Sequence, residues 1–135
     1  MDQLDGGSAF GNMKIYEIEQ LDVYKTAFKL QQLIFKESQA WPKEETYSLI
    51  DQIRRSSRSV GANLAEAWSK RTYPAHFKSK ITDADSELQE TGHWLRTAYA
   101  CNYLTEDCYN LLETKRKEVG RLVGGLIRNA DSFCL

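Results

Sequence analysis

LIDQIRRSSRSVGANLAEAWSKR, residues 49–71, is the stretch whose reading decides the fold. Leu49, Ile53, Ser56, Val60, Asn63 and Ala67 recur at alternating steps of four and three, the spacing of a helical seam. A soluble helix ordinarily fills its seam with large apolar side chains. Here Ser56 and Asn63 stand on it, with Ser57, Ser59, Gly61 and Ala62 beside them. Small residues let helix backbones approach closely, and an Asn on a seam needs a partner, which favours one packing register over others. The stretch therefore predicts a tightly packed helical architecture and carries no catalytic signature.

Working outward, Pro42 with Glu44 and Glu45 suits the start of this helix and Lys70 with Arg71 its end, so it is predicted over residues 43–71. Upstream, residues 18–38 carry two stripes, Val23, Ala27, Leu30 and Ile34 beside Tyr24, Phe28 and Phe35. That is more apolar surface than a narrow two-helix seam covers. Downstream, residues 74–102 start at Pro74 and repeat Phe77, Ile81, Ala84, Leu88, Thr91, Leu95 and Ala98, the cleanest periodicity in the chain. A fourth helix is predicted over 106–129, with Thr105 as N-cap and a seam of Cys108, Leu111, Lys115, Val119, Leu122 and Leu126, widened by Leu112, Val123 and Ile127. Gly120 and Gly124, four apart, would either permit close approach to a neighbour or let the helix fray there. No period-two alternation competes. Four amphipathic helices with short links predict an all-α, antiparallel up-down-up-down four-helix bundle over residues 18–130. Residues 1–17 read as a flexible leader and 131–135 as a tail. Trp41 is expected to cover one end of the core.

The totals exclude several classes. With 135 residues the chain fits one domain. A net charge of −1 gives no global pull toward nucleic acid or an anionic membrane. No apolar run approaches the ~20 residues that span a bilayer, so no membrane partner is expected. The first residues lack an apolar signal segment. Cys101, Cys108 and Cys134 are odd in number and widely spaced, which argues against a disulfide framework and for a reducing cytoplasm. Zinc needs tighter ligand pairs than these cysteines, His76 and His93 provide, so no metal or other cofactor is expected.

The blocks LDVYKTAFKL at 21–30, WPKEETYSLIDQIRRSSRSVGANLAEAW at 41–68 and FKSKITDADSELQETGHWL at 77–95, with the connector Ala100-Cys101-Asn102-Tyr103-Leu104, resemble a family of small bacterial proteins first met as products of intervening sequences in 23S ribosomal RNA genes. The resemblance implies an up-down-up-down bundle that forms homopentameric rings with a central channel, and no enzymatic activity. A related branch, the accessory proteins of diversity-generating retroelements, consists of basic pentamers that bind nucleic acid. Two departures stand out. Many members have Gly after the Ala-Glu of the second helix, where this chain has Ala67-Trp68, and this chain is slightly acidic where the accessory proteins are strongly basic.

Charge is unevenly spread. Residues 51–81 hold Arg54, Arg55, Arg58, Lys70, Arg71, Lys78 and Lys80 against Asp51 and Glu66, a local balance of +5. Three readings stand: a solvated helix face, ion pairs to acids such as Asp83, Asp85 and Glu87 of a neighbouring subunit, or contacts to the phosphates of RNA or DNA. Trp68 and Tyr73 would either stack bases or cover a bundle end. Ser59, Asn63 and Glu66 share a helix face. They read as structural polar residues, Asn63 bonding across helices and Glu66 meeting a cation or a subunit boundary, or else as the lining of a small polar pocket. Asp83, Asp85, Glu87 and Glu90 read as a charged outer face. No nucleophile elbow, phosphate-binding glycine loop or dinucleotide fingerprint is present. The sequence thus predicts a non-enzymatic homo-oligomer that either binds nucleic acid through its second helix or serves as a scaffold for a protein partner.

Overall fold

Each of the first two long helices is entered through a tighter or wider turn. The computed structural model describes residues 17–135; the expected leader lies outside these but for Glu17. A 3-10 turn at Ile18–Gln20 leads into α1, Asp22–Ser38. After Pro42, a 3-10 turn at Lys43–Glu45 and a π turn at Thr46–Ile50 lead into α2, Asp51–Ser69. The helix read as one span over 43–71 is thus composite. Thr46 Oγ1 donates to the Lys43 carbonyl at 2.6 Å, so its side chain competes for the backbone in this first turn. Next come α3, Pro74–Ala100, and α4, Glu106–Arg128, whose Thr105 cap accepts from the Cys108 N–H. A short α5, Ala130–Phe133, ends the chain's helical structure.

Cross-helix contacts fix the topology. Ser56 meets Thr91 and Asn63 meets Lys80, so α2 and α3 run antiparallel. Ser38 meets Arg54, Gln89 meets Arg116, and α1 also packs on α4. The four long helices therefore close into the predicted up-down-up-down bundle. All seven seam residues expected on α3 are 0% exposed, as the strict repeat requires. The Val23–Ile34 stripe of α1 is buried as well.

Two expected seams shift. On α2, Asn63 lies only half-buried at the margin and Leu64 takes the core position. A straight helix drifts by about 20° per heptad against a seven-residue repeat, and by the third repeat Leu64 has rotated inward. On α4 the seam is Leu112, Arg116, Val119, Val123 and Leu126, while Leu111 is 53% exposed and Lys115 and Leu122 are half-buried. The reason is Arg116. Its guanidinium is buried against Gly92, where an added Cβ would stand 2.6 Å from Cζ. Glu113 accepts from Arg116 Nε at 2.6 Å and from Nη2 at 2.9 Å. This bidentate pair holds the Glu113 carboxyl below its ordinary range, since the carboxylate form is the one that accepts both bonds.

The core between α2 and α3 also holds a fully buried polar pair. Ser56 and Thr91 are both 0% exposed and their hydroxyls lie 2.9 Å apart. Each also reaches a carbonyl of its own helix, Ile53 and Glu87. At one end of the bundle Trp41 is buried against Tyr103, whose hydroxyl donates to Glu45 at 2.8 Å. At the other, Phe133 packs edge-on against Trp68 and the Leu135 N–H donates to the Arg71 carbonyl.

Two substitutions probe this packing. Ser56→Ala and Thr91→Val should each lower stability by about 0.5–1.5 kcal/mol, because each removes the hydroxyl–hydroxyl bond while the remaining hydroxyl keeps the carbonyl of its own helix, and the double variant should cost less than the two combined; urea unfolding measures the cycle. Gly92→Ala should displace the Arg116 guanidinium, the movable end of a long side chain, at a net cost within about 1 kcal/mol, since Ala regains about 1 kcal/mol of helix propensity, and Arg116→Met in the same chain should remove the remaining cost.

Candidate nucleic-acid interface

The seven cations of residues 51–81 do not form one patch. Arg54, Arg55 and Arg58 sit together on the first half of α2, where with Asp51, Ser59 and Ala62 they line an open surface hollow of about 580 Å3. Lys70, Arg71 and Lys78 lie toward the other end of the bundle, beyond some ten further residues of helix, or roughly 15–20 Å. Arg71 is folded down, its guanidinium 3.8 Å above the Trp68 ring and its Nε donating to the Trp68 carbonyl. Burial pushes its pKa down. Lys80 is already engaged, 2.8 Å from Glu66 and 3.7 Å from Asp83. That pairing lowers the Glu66 pKa and raises that of Lys80.

The three arginines divide the work. Arg54 is half-buried, donates from Nε to Ser38 Oγ at 2.9 Å, and places its guanidinium 4.7 Å from the Phe35 ring. Arg58 is exposed and lies 5.4 Å from the same ring. Arg55 is exposed, donates to Gln52, and stands 3.8 Å from Glu90 on α3. An arginine laid flat on an aromatic face keeps its edge donors available for a phosphate or carboxylate. The sequence assigned Phe35, with Tyr24 and Phe28, to an apolar stripe in surplus of one bundle seam, the surface expected to hold copies together, and did not connect it with the arginines. The structure covers that stripe only in part: Tyr24 and Phe35 are half-buried, while Phe28 is 46% exposed and stacks on Tyr24 with ring centroids 6.2 Å apart. A pairing of positions 35 and 54 across the tight 39–42 link was the available signal. Of the aromatics expected near the patch, Trp68 is buried at the bundle end and Tyr73 is exposed beside His76.

Ser59, Asn63 and Glu66 do not enclose a common pocket. Asn63 donates to the Ser59 carbonyl at 2.9 Å and accepts from Lys80 across to α3, while Glu66 is exposed. Ser59 lines the basic hollow. Asn63 lines a different one, of about 340 Å3, with Asp83, Ser86, Glu87 and Glu90. In it Glu87 is held above the usual carboxylate range, chiefly by burial and then by Glu90. One motif is easily missed in the sequence: Glu90-Thr91-Gly92-His93 has the E-x-x-H spacing of di-iron bundles. It does not converge on the core. The Glu90 carboxylate accepts from Trp94 Nε1 at 3.0 Å, and exposed His93 lies against the Trp94 ring. Among the described residues no group of three or more His, Cys, Asp or Glu is placed to hold a metal, and no helix is long and apolar enough to cross a membrane.

Residues 19–125 match the family of 23S rRNA-intervening sequence proteins. The chain belongs to this family. A crystal structure from Bacteroides thetaiotaomicron, described as a protein of unknown function from the S23 ribosomal protein family, is similar to it with 26% sequence identity and a TM-score of 0.69. The alignment covers 78% of this chain and 98% of that one. A comparison with curated proteins finds no match. This member of the intervening-sequence family thus shares its bundle with a relative of undescribed activity, and the arginine–Phe35 arrangement is a feature read from its own residues.

The division of labour among the arginines is measurable. Arg54→Ala should cost about 1 kcal/mol in thermal or urea unfolding, because it removes the bond to buried Ser38 and one of the two guanidiniums over Phe35. Arg58→Ala should stay within about 0.5 kcal/mol, as surface substitutions do.

Proposed function

We propose that this family member is a scaffold that assembles with copies of itself and performs no reaction of its own, in a compartment that keeps its three cysteines reduced. Five copies is the number that the resemblance to ring-forming relatives implies. The observation that supports the reading is the aromatic line of α1, on which Phe28 is 46% exposed and Tyr24 and Phe35 are only half-buried. Apolar residues exposed singly are ordinary on a monomer. Tyr24, Phe28 and Phe35 instead follow one line along α1, with the stacked Tyr24 and Phe28 at one end and Phe35 under two arginines at the other. Exposed aromatic surface of this kind supports an interface. Light scattering should return a multiple of the 15.5 kDa chain mass, and Tyr24→Ser with Phe28→Asp should lower it with helix content unchanged. A wild-type chain that stays single at high concentration sinks the reading.

A second reading is supported by a specific observation, the stacking of Arg54 and Arg58 on Phe35 beside Arg55. Such a cluster suits the backbone of RNA or DNA, with Phe28 and Tyr24 as surfaces on which unpaired bases stack. A fluorescently labelled single-stranded RNA should then bind with an affinity that falls steeply with salt. The variant Arg54→Ala, Arg55→Ala, Arg58→Ala should reduce the salt slope by about 2, since each arginine that neutralises a phosphate contributes roughly 0.7. An unchanged slope removes the arginines from any nucleic-acid role.

A further inference from the structure

We propose that each copy seats the aromatic α1–α2 edge of its bundle on the α1–α4 edge of the next copy. The ring so formed turns α1 toward its axis and gathers Lys25, Lys29 and Lys36 of every copy into one channel for a multiply charged phosphate anion. This rests on the self-association reading and names the contact and the site within it.

Two edges of the bundle leave hydrocarbon partly uncovered, and they share α1. On the first, Phe28 is exposed beside half-buried Tyr24 and Phe35. Arg54 and Arg58 lie over the Phe35 ring, with Asp51 one turn earlier on α2. On the second edge, Leu33 of α1 and Leu122 of α4 are half-buried and Leu111 of α4 is 53% exposed. Asp107 and Glu118 flank Leu111 along α4, and Lys115 between them pairs with Glu118 at 4.0 Å. The remaining edges offer less. Between α2 and α3 stand Asn63, Asp83, Glu87 and Glu90, and between α3 and α4 the exposed Tyr99 is already stacked on Tyr109.

Height along the bundle makes the two edges complementary. Rotation about a ring axis parallel to the helices leaves every height unchanged, so residues that meet across copies must share a level. Ser38 bonds Arg54, and burial and then Glu37 raise the Cys108 thiol, so the end of α1, Arg54 and the start of α4 stand level. With a rise of about 1.5 Å per residue, Leu111 is then level with Phe35 and Arg58, and Asp107 with Arg54. An apolar side chain meets an aromatic ring, and a carboxylate meets a guanidinium.

The angle between the edges closes the ring. Edges that meet at one helix of a four-helix bundle face outward about a right angle apart. The two contact faces of a ring subunit diverge by about 108° for five copies and about 90° for four, whereas opposite edges build an open filament. Both contact faces converge on α1, which therefore stands innermost. Its outward face is Lys25, Lys29, Gln32 and Lys36, all exposed and at helical spacing. The acids of α1 are Asp22 in its first turn and Glu37 beside Cys108. Among the described residues none of the three lysines pairs with a carboxylate. Three ammonium groups from each copy repel across the axis, and a polyanion between them relieves that repulsion.

The test uses the full chain and reads mass by native mass spectrometry. Phe28→Asp with Arg58→Asp spoils the first edge, and Leu111→Asp spoils the second. Each variant alone should give the single-chain mass of 15.5 kDa. Mixed, they should pair one to one and stop, because each supplies the edge the other lacks and a single contact cannot close a ring. That pairing also shows that both variants fold. Wild-type mass retained by either variant overturns the contact, as does a mixture that stays at the single-chain mass. Independently, Arg58→Cys with Leu111→Cys, in a chain whose native cysteines are replaced by Ala, should cross-link through a short bismaleimide into a ladder that ends at the wild-type copy number; no ladder overturns the contact. For the channel, sodium tripolyphosphate should lower several-fold the concentration at which the wild type dissociates, against sodium chloride at equal ionic strength. The variant Lys25→Gln, Lys29→Gln, Lys36→Gln should assemble more tightly without it and lose the response. A short oligodeoxythymidylate run in parallel tells inorganic phosphate from the phosphates of a nucleic acid. No response to either anion, or a lysine variant that responds as the wild type does, overturns the channel. A wild-type chain that never exceeds the single-chain mass defeats the self-association reading itself, whereas an assembly that survives both edge variants defeats only this contact.

Discussion

The close approach of α2 and α3 is the constraint on which the rest of the molecule depends. Small side chains meet where the two helices cross, Ser56 on one side and Thr91 on the other, both fully buried. The approach is made specific by a single hydroxyl–hydroxyl bond in the dry interior. Buried polar groups favour the registration in which they meet, since a slip gives up the hydroxyl–hydroxyl bond and leaves each hydroxyl only the carbonyl of its own helix. Because the small residues face inward, the longer side chains of both helices are displaced to the outside. This is why Arg55 and Glu90 end up as neighbours on one surface.

A second consequence concerns α1. Its inner stripe is consumed by the core, but α2 offers the outer stripe only Gly61, near Tyr24, and the guanidiniums of Arg54 and Arg58 above Phe35. Cations replace hydrocarbon as the cover for an aromatic surface. Such a cover is partial, and Phe28 stays 46% exposed. The stickiness argued for this protein is therefore a by-product of how tightly its second and third helices are packed.

Most of the architecture is legible in the residues alone. The seven-residue repeat on α3 contains no polar residue larger than Thr91, so period and burial coincide there. On α4 they diverge. Lys115 and Arg116 are adjacent, and nothing local says which one enters the core; the answer lies in Gly92, more than twenty positions earlier, whose missing side chain provides the room. The candidate site is half-legible for a similar reason. The three arginines of α2 are visible as a cluster, yet their sorting into one stacked and hydrogen-bonded, one stacked and one facing α3 depends on Phe35, Ser38 and Glu90 from other helices. Lys80 looks available in the sequence because its partner Glu66 is close only after the chain turns back.

The wide turn at Thr46–Ile50 bears on how this lineage tolerates changes in length. A π turn holds an additional residue in a helix and leaves the winding of the later turns unaltered. Loss of one position there would return the segment to ordinary winding while Ile53, Ser56 and Val60 kept their orientation. The same loss between Ser56 and Gly61 would swing Leu64, Ala67 and Trp68 by about 100° around the axis and out of the interior. Insertions and deletions among descendants of this chain should accordingly collect in the opening turns of the second helix and be purged from its middle.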